Sequence, residues 1–274
     1  MVNRIYNFIK SGINNKSRTV KWSESKETKK NIGDALNPYL FEKIFKKEPI
    51  NIKNSINTGI FPVYSFIGSV LDNSAVKNLH ILGSGFRNEK SIMLIKPKKV
   101  YACRGPLTRE KLIKTGIVVP EVYGDPAILL PKYFNIEAKK SYKMGIIPHY
   151  VDKDFAIVRN YINKPEVKFI DVFAPMENFV SDIKSCDFTI SSSLHGVIIS
   201  QAYGIPSVWV KFSNNIGGGN FKFNDYYLSL GIEVLPVEIF NRELTIEELK
   251  MRAILPDLSE LTANLAKTFE NCNI

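Results

Sequence analysis

The chain has 274 residues, 45% of them hydrophobic and 23% charged, enough for one large or two ordinary domains with a sizeable core. A formal charge of +10 favours anionic substrates, polyanions or an anionic bilayer face, but no zinc-finger, RNP-like or helix-turn-helix pattern supports nucleic acid. No apolar run reaches the roughly 20 residues that span a bilayer; Cys103, Cys186 and Cys272 are scattered, form no zinc pattern and point to a reducing compartment, the cytoplasm.

Residues 1–22 lack the apolar centre and cleavage site of a secretory signal. Arg4, Lys10, Lys16, Arg18 and Lys21 precede any acidic residue, while Ile5, Phe8, Ile9 and Ile13 recur at helical spacing. Such a basic amphipathic segment suits either an anionic bilayer, as a peripheral membrane contact, or packing on the body of the protein. Residues 31–46 predict a turn and then a helix with Leu36, Leu40, Phe41 and Ile44 on one side and Pro38 in its first turn. Residues 61–71 read as a strand entering a loop and helix. A short strand at 78–82 runs into Gly83-Ser84-Gly85, and another at 99–103 opens into Arg104-Gly105-Pro106 and a charged helix. A strand at 122–123 meets Gly124-Asp125-Pro126. Lysine-bearing residues 134–143 read as a linker.

Strands follow at 143–147, ending at Pro148-His149, and at 167–172; residues 175–185 form a helix with Met176, Phe179 and Ile183 inward. Residues 187–210 then give strand, turn, helix, turn, strand, with Ser191, Ser192 and Ser193 at the helix entry. The tail, 245–269, is helical by pattern and is expected to cross back to the first half. This alternation predicts the α/β class: two Rossmann-like domains, residues 1–138 and 139–274, with a cleft between them.

The residues at the predicted strand ends suit an anion. At the 191–196 turn, Ser192, Ser193, His195 and Gly196 combine hydroxyls and an imidazole with the free N–H groups of a helix start. Asn31-Ile32-Gly33-Asp34 pairs a flexible glycine with a carboxylate. Gly83, Ser84 and Gly85 form a turn through which a ligand could approach the backbone. Arg104 offers either a paired clamp for carboxylate or phosphate, or an ordinary ion pair. Asp125 fits a base, a hydroxyl-binding group or a turn former. His149 and His195 are candidates for a common cleft, whereas His80, inside an apolar strand, reads as structural. The glycine-rich stretch 215–225 carries Lys222, which could close on a phosphate. No P-loop, GxGxxG, HExxH or GxSxG pattern occurs, and no metal site is expected.

Five stretches in order, NIGDALNPYL at 31–40, ILGSGF at 81–86, ACRGPLT at 102–108, YGDPAILLP at 123–131 and SSSLHGVIISQAYGIPSVWV at 191–210, resemble the polysaccharide pyruvyltransferase family. FKFNDYYLSLG at 221–231 resembles its shorter bacterial exopolysaccharide branch, so the resemblance spans roughly residues 22–235. It implies a glycosyltransferase-B-like fold and transfer of pyruvate from phosphoenolpyruvate, as co-substrate and without a cofactor, to a sugar as a cyclic ketal. The acceptor implied is a lipid-linked glycan of a bacterial surface polysaccharide. Arg104 and His195 match the family residues associated with phosphoenolpyruvate. Leu194 stands where the family often has arginine, leaving Lys222 or Lys211 to supply a cation. The resemblance gives His195 the acid or phosphate-contact role and Arg104 the clamp. Asp34 or Asp125, with His149 as a second candidate, would orient acceptor hydroxyls. A nucleotide-sugar glycosyltransferase and a non-catalytic glycan-binding protein are the alternative readings.

Overall fold

The structure, a computed structural model, describes residues 2–13, 16–23, 31–240 and 242–274. The described strands form two five-stranded sheets in which every strand-to-strand pairing is parallel. The first contains β1 (Ser17–Lys21), β2 (Glu48–Asn51), β3 (Val63–Ser65), β4 (Leu79–Leu82) and β5 (Lys99–Ala102), in the order β2-β1-β3-β4-β5. The second contains β6 (Tyr142–Ile147), β7 (Val167–Phe169), β8 (Cys186–Ser191), β9 (Ser207–Lys211) and β10 (Val237–Glu238), in the order β10-β9-β8-β6-β7. Read from the opposite edge, the second order repeats the first. Each sheet reverses direction beside its first strand, and that switch point is where open α/β sheets bind ligands.

The helices are α1 (Val2–Ile13), α2 (Ile32–Phe45), α3 (Pro106–Ile113), α4 (Leu130–Tyr133), α5 (Ala156–Ile162), α6 (Met176–Lys184), α7 (Leu194–Ala202), α8 (Phe221–Leu228), α9 (Ile246–Lys250) and α10 (Ser259–Glu270). The β8–α7–β9 run matches the strand–turn–helix–strand reading of 187–210, because its near-continuous apolar run is buried on both faces of a parallel sheet. α2 is as the pattern of 31–46 predicts, with Leu36, Leu40 and Phe41 fully buried.

Three stretches differ. The basic segment is helix only to Ile13; Arg18 and Lys21 belong to β1, the strand at the first switch point, with Thr19 and Val20 buried. Residues 66–71 form no helix. The Asn37 side chain accepts from Ile67 N–H at 3.0 Å, and Leu71 N–H donates to Gly85 O at 3.3 Å, so backbone groups that a helix would need are already taken. The tail is split at Pro256 into α9 and α10. α10 lies on the first sheet's side, where Phe269 meets Phe45 at 5.4 Å and Phe66 at 5.7 Å between ring centroids. No helix among the described residues is long and apolar enough to cross a membrane.

Candidate active site

The carboxyl ends of both sheets face one another around a cavity of about 370 Å³, lined from the first side by Asn31, Asp34, Ser69 and Arg87 and from the second by His149, Ser193, His195 and Lys222. That volume is the size of a small-ligand pocket. Two helices begin at it. At α2, Asn31 is the N-cap; its amide oxygen accepts from Asp34 N–H at 3.2 Å and its amide N–H₂ donates to the Asp34 carboxylate at 2.6 Å. Ile32 N–H donates to Val172 O at 2.8 Å, fastening α2 to the loop after β7. At α7 the N-cap is Ser193, whose hydroxyl makes no capping hydrogen bond, so that first turn keeps its N–H groups for a ligand.

His195 stands in the first turn of α7. Its ring lies flat against Gly33 of α2, where a methyl group would sit 2.2 Å from Nδ1, so only glycine lets the imidazole reach across. Its Nε2 is 3.5 Å from Asp125 Oδ2, and Asp125 is fully buried with Oδ1 accepting from Ala127 N–H. Neither Nε2 nor Oδ2 makes a hydrogen bond among the described residues, so the 3.5 Å approach is an electrostatic contact between two buried polar atoms. Asp34 is half-buried, and burial pushes its carboxyl up to about 6, against the opposing pull of His195 and the Asn31 hydrogen bond. A group titrating there can both take and give a proton near neutral pH.

The other face of the cavity is cationic. Lys222 makes no hydrogen bond or ion pair among the described residues, and burial, with Arg104 and Arg87 nearby, pushes it down to about 8. Arg87 holds only a long 3.8 Å contact to Asp72 and is exposed. His149 is pushed down to about 3 by burial and by Lys222 and Arg87, so it is neutral. Its Nδ1 accepts from Val151 N–H at 3.4 Å, which leaves Nε2–H as a donor. Two cations, a neutral imidazole donor and two helix starts therefore surround one carboxyl acid or base. Among the described residues no cluster of three or more His, Cys, Asp or Glu could hold a metal ion.

The structure brings Asn31, Asp34, His149, Ser193, His195 and Lys222 together at the cavity, with Gly33 beneath the His195 ring. It does not bring Arg104. That side chain is 0% exposed, its Nε donating to Asp225 Oδ2 at 3.0 Å, Nη1 to Ser69 Oγ at 2.6 Å and Nη2 to Phe86 O. A guanidinium so occupied has no edge left for a ligand. Asp125 lies behind His195 and out of the cavity, so it cannot orient acceptor hydroxyls directly. Ser192 is turned inward, accepting from His149 N–H at 2.9 Å and donating to buried Asp152 at 2.7 Å. Gly83 packs on Pro126, Ser84 donates to Ser65 Oγ at 2.8 Å, Gly85 lies against the Arg104 guanidinium and Gly196 faces Ser191; none lines the cavity. Lys211 pairs with Glu238 at 3.1 Å. Arg87 and Ser69 are cavity residues that motif reading passed over; Arg87 directly follows the ILGSGF stretch, and a cation just beyond a strand-end glycine turn was the available signal.

The family model described as polysaccharide pyruvyl transferase matches residues 31–214. The uncharacterized protein L143 of Acanthamoeba polyphaga mimivirus is 33% identical over 215 residues, covering 74% of this chain and 72% of that protein. The succinoglycan biosynthesis protein ExoV of Rhizobium meliloti (strain 1021) is 26% identical over 214 residues, covering 75% of this chain and 63% of that protein, just under two thirds of its length.

Proposed function

The chain belongs to the polysaccharide pyruvyl transferase family, and from that premise we propose that it moves the pyruvyl group of phosphoenolpyruvate onto a sugar residue of a lipid-linked bacterial surface glycan, closing a cyclic ketal. The observation that carries the reading is the juxtaposition of the Asp125-held His195 and the raised carboxyl of Asp34 with Arg87 and Lys222 at one cavity. Phosphoenolpyruvate has an anionic group at each end, and the cavity offers Arg87, Lys222 and the α7 start for them. We read the two facing sheets as the lobes of a glycosyltransferase-B-like plan, divided near residue 138.

The reaction begins when a proton reaches the methylene carbon and a sugar hydroxyl adds to the neighbouring carbon. The C–O bond to phosphate then breaks, phosphate leaving with its electron pair, and a second hydroxyl adds to the same carbon and closes the ring. Of the two hydroxyl protons released, one replaces the proton consumed at the methylene and the other leaves with phosphate. His195 supplies the acid, with Asp125 3.5 Å behind its ring. Asp34 accepts a hydroxyl proton, and His149 Nε2–H donates to an acceptor oxygen or to the donor carboxylate. Lys222, Arg87 and the free N–H group of Leu194 take up charge as phosphate departs.

The test is phosphate release from phosphoenolpyruvate in the presence of galactosyl and mannosyl acceptors, with the ketal methyl signal followed by NMR. Coupled phosphate release and a new methyl singlet support the reading. Thermal stabilisation by a nucleotide sugar and none by phosphoenolpyruvate would put a nucleotide-sugar transferase in its place.

A further inference from the structure

We propose that the first half of the chain carries a docking surface for an anionic lipid bilayer, made of the outer stripe of α1, the Ile60 tip and a lysine groove beside them. The inference is independent of the chemistry assigned to the cleft. α1 is held by its inner face only. Phe8 packs on Phe61 at 5.0 Å between centroids, Ser11 accepts from Thr19 Oγ1 at 2.8 Å, and Asn7 and Arg4 donate to the backbone of Asn54 and Ser55. Its outer face places Val2, Tyr6, Ile9 and Ile13 at intervals of four, three and four residues, one stripe along the helix, and they are 78%, 63%, 47% and 75% exposed. A soluble surface helix normally turns such a stripe toward a core. Here the core side is already filled, and the stripe points outward.

The stripe is continuous with a basic groove. Gly12 of α1 lies against the Phe61 ring, and the next residue back, Ile60, is 68% exposed. Asn78 donates to the carbonyls of Gly59 and Ile60, and Gly59 packs on Lys77. From there a groove of about 970 Å³ is lined by Lys77, Lys96, Lys98 and Lys99, all exposed, with Val118 89% exposed at its rim and no acidic residue in its wall. The side chains of Lys77 and Lys98 make no hydrogen bond or ion pair among the described residues. Apolar side chains that insert at the headgroup boundary, flanked by unpaired lysines that meet anionic headgroups, are what interfacial binding requires. The charge selects the occupant: a second copy of this chain would set four lysines against four more.

The intact protein is to be sedimented with vesicles of phosphatidylcholine alone and with vesicles containing about one-third phosphatidylglycerol. Wild type is expected to pellet with the anionic vesicles and not with the neutral ones, and to be released by salt. K77E/K98E and, separately, I9Q/I13Q are each expected to lower the partition about tenfold or more, with unchanged melting temperature and unchanged phosphate release with a soluble acceptor. Wild type left in the supernatant, equal pelleting of both double variants, or a wild-type dimer that I9Q/I13Q converts to monomer would each overturn the proposal.

Discussion

Arg104 and Asp225 form a fully buried ion pair, Nε to Oδ2 at 3.0 Å, between residues 121 positions apart in the chain. Thr108 donates to the same carboxylate from its backbone N–H at 2.9 Å and its hydroxyl at 2.6 Å. Gly105 meets the Asp225 carbonyl so closely that a methyl group would sit 1.8 Å from it. Asp225 is on α8, the helix that carries Lys222, so the RGP turn of the first half fixes where the ammonium of the second half stands. Arg104 is therefore placed to position Lys222 and Ser69 at the cavity without lining it.

Removing the guanidinium strands a buried carboxylate. Arg104→Ala is expected to cost about 3–5 kcal/mol of stability, measured by denaturant unfolding. Arg104→Lys should recover only part of this, because an ammonium cannot reproduce three divergent N–H contacts. Unchanged stability in the alanine variant would sink the latch.

His195→Ala should lower kcat at least about a hundredfold with the fold retained. Gly33→Ala is the sharper experiment. Its added methyl would collide with the imidazole, so kcat should fall by about tenfold or more while melting temperature holds, since alanine favours the helix. Wild-type kcat in Gly33→Ala would show that the ring can stand elsewhere and still work.

Asp34 sets an acid limb. If it takes the hydroxyl proton, kcat should rise with pH through about 6 and level off, and Asp34→Asn should abolish that rise together with most activity. Stability moves the other way. Its folded value lies above the unfolded one near 3.8, so the native state holds a proton more tightly and loses stability as pH climbs from about 4 to about 6. Asp34→Asn should accordingly melt higher than wild type at pH 7, and an equal or lower melting temperature there would contradict the burial argument.

Lys222 is expected to weaken donor binding at alkaline pH. Its ammonium deprotonates near 8 in the free protein, so KM for phosphoenolpyruvate should climb above that pH. Lys222→Met should remove the climb and raise KM about tenfold at pH 7. Arg87→Met should raise KM and move the alkaline climb to higher pH, because the Arg87 guanidinium is one of the charges that lowers Lys222.

The sequence displayed local structure and hid long-range pairing. The 187–210 turn and α2 were legible because their apolar runs and their entry residues, Ser191–Ser193 and Asn31, lie within a few positions of each other. β1 escaped notice, since its five residues include one arginine and one lysine and resemble more of the basic segment before them. Arg104 looked like a clamp because a cation after a strand and before Gly-Pro fits one. Nothing within a hundred residues of it announced Asp225. The His195–Asp125 contact is also long-range in sequence, and it changed Asp125 from a candidate for the acceptor hydroxyls into the group behind the imidazole.

The crossing of α10 also bears on how this chain folds. Phe269 and Leu265, both buried, complete the apolar layer around Phe45, Phe66 and Gly124, yet they follow the whole second sheet in the chain. The first half thus lacks a piece of its interior until α10 docks, so its folding waits on a segment made after the second sheet. Deleting α10, which does not line the cavity, is expected to destabilise the first half of the chain.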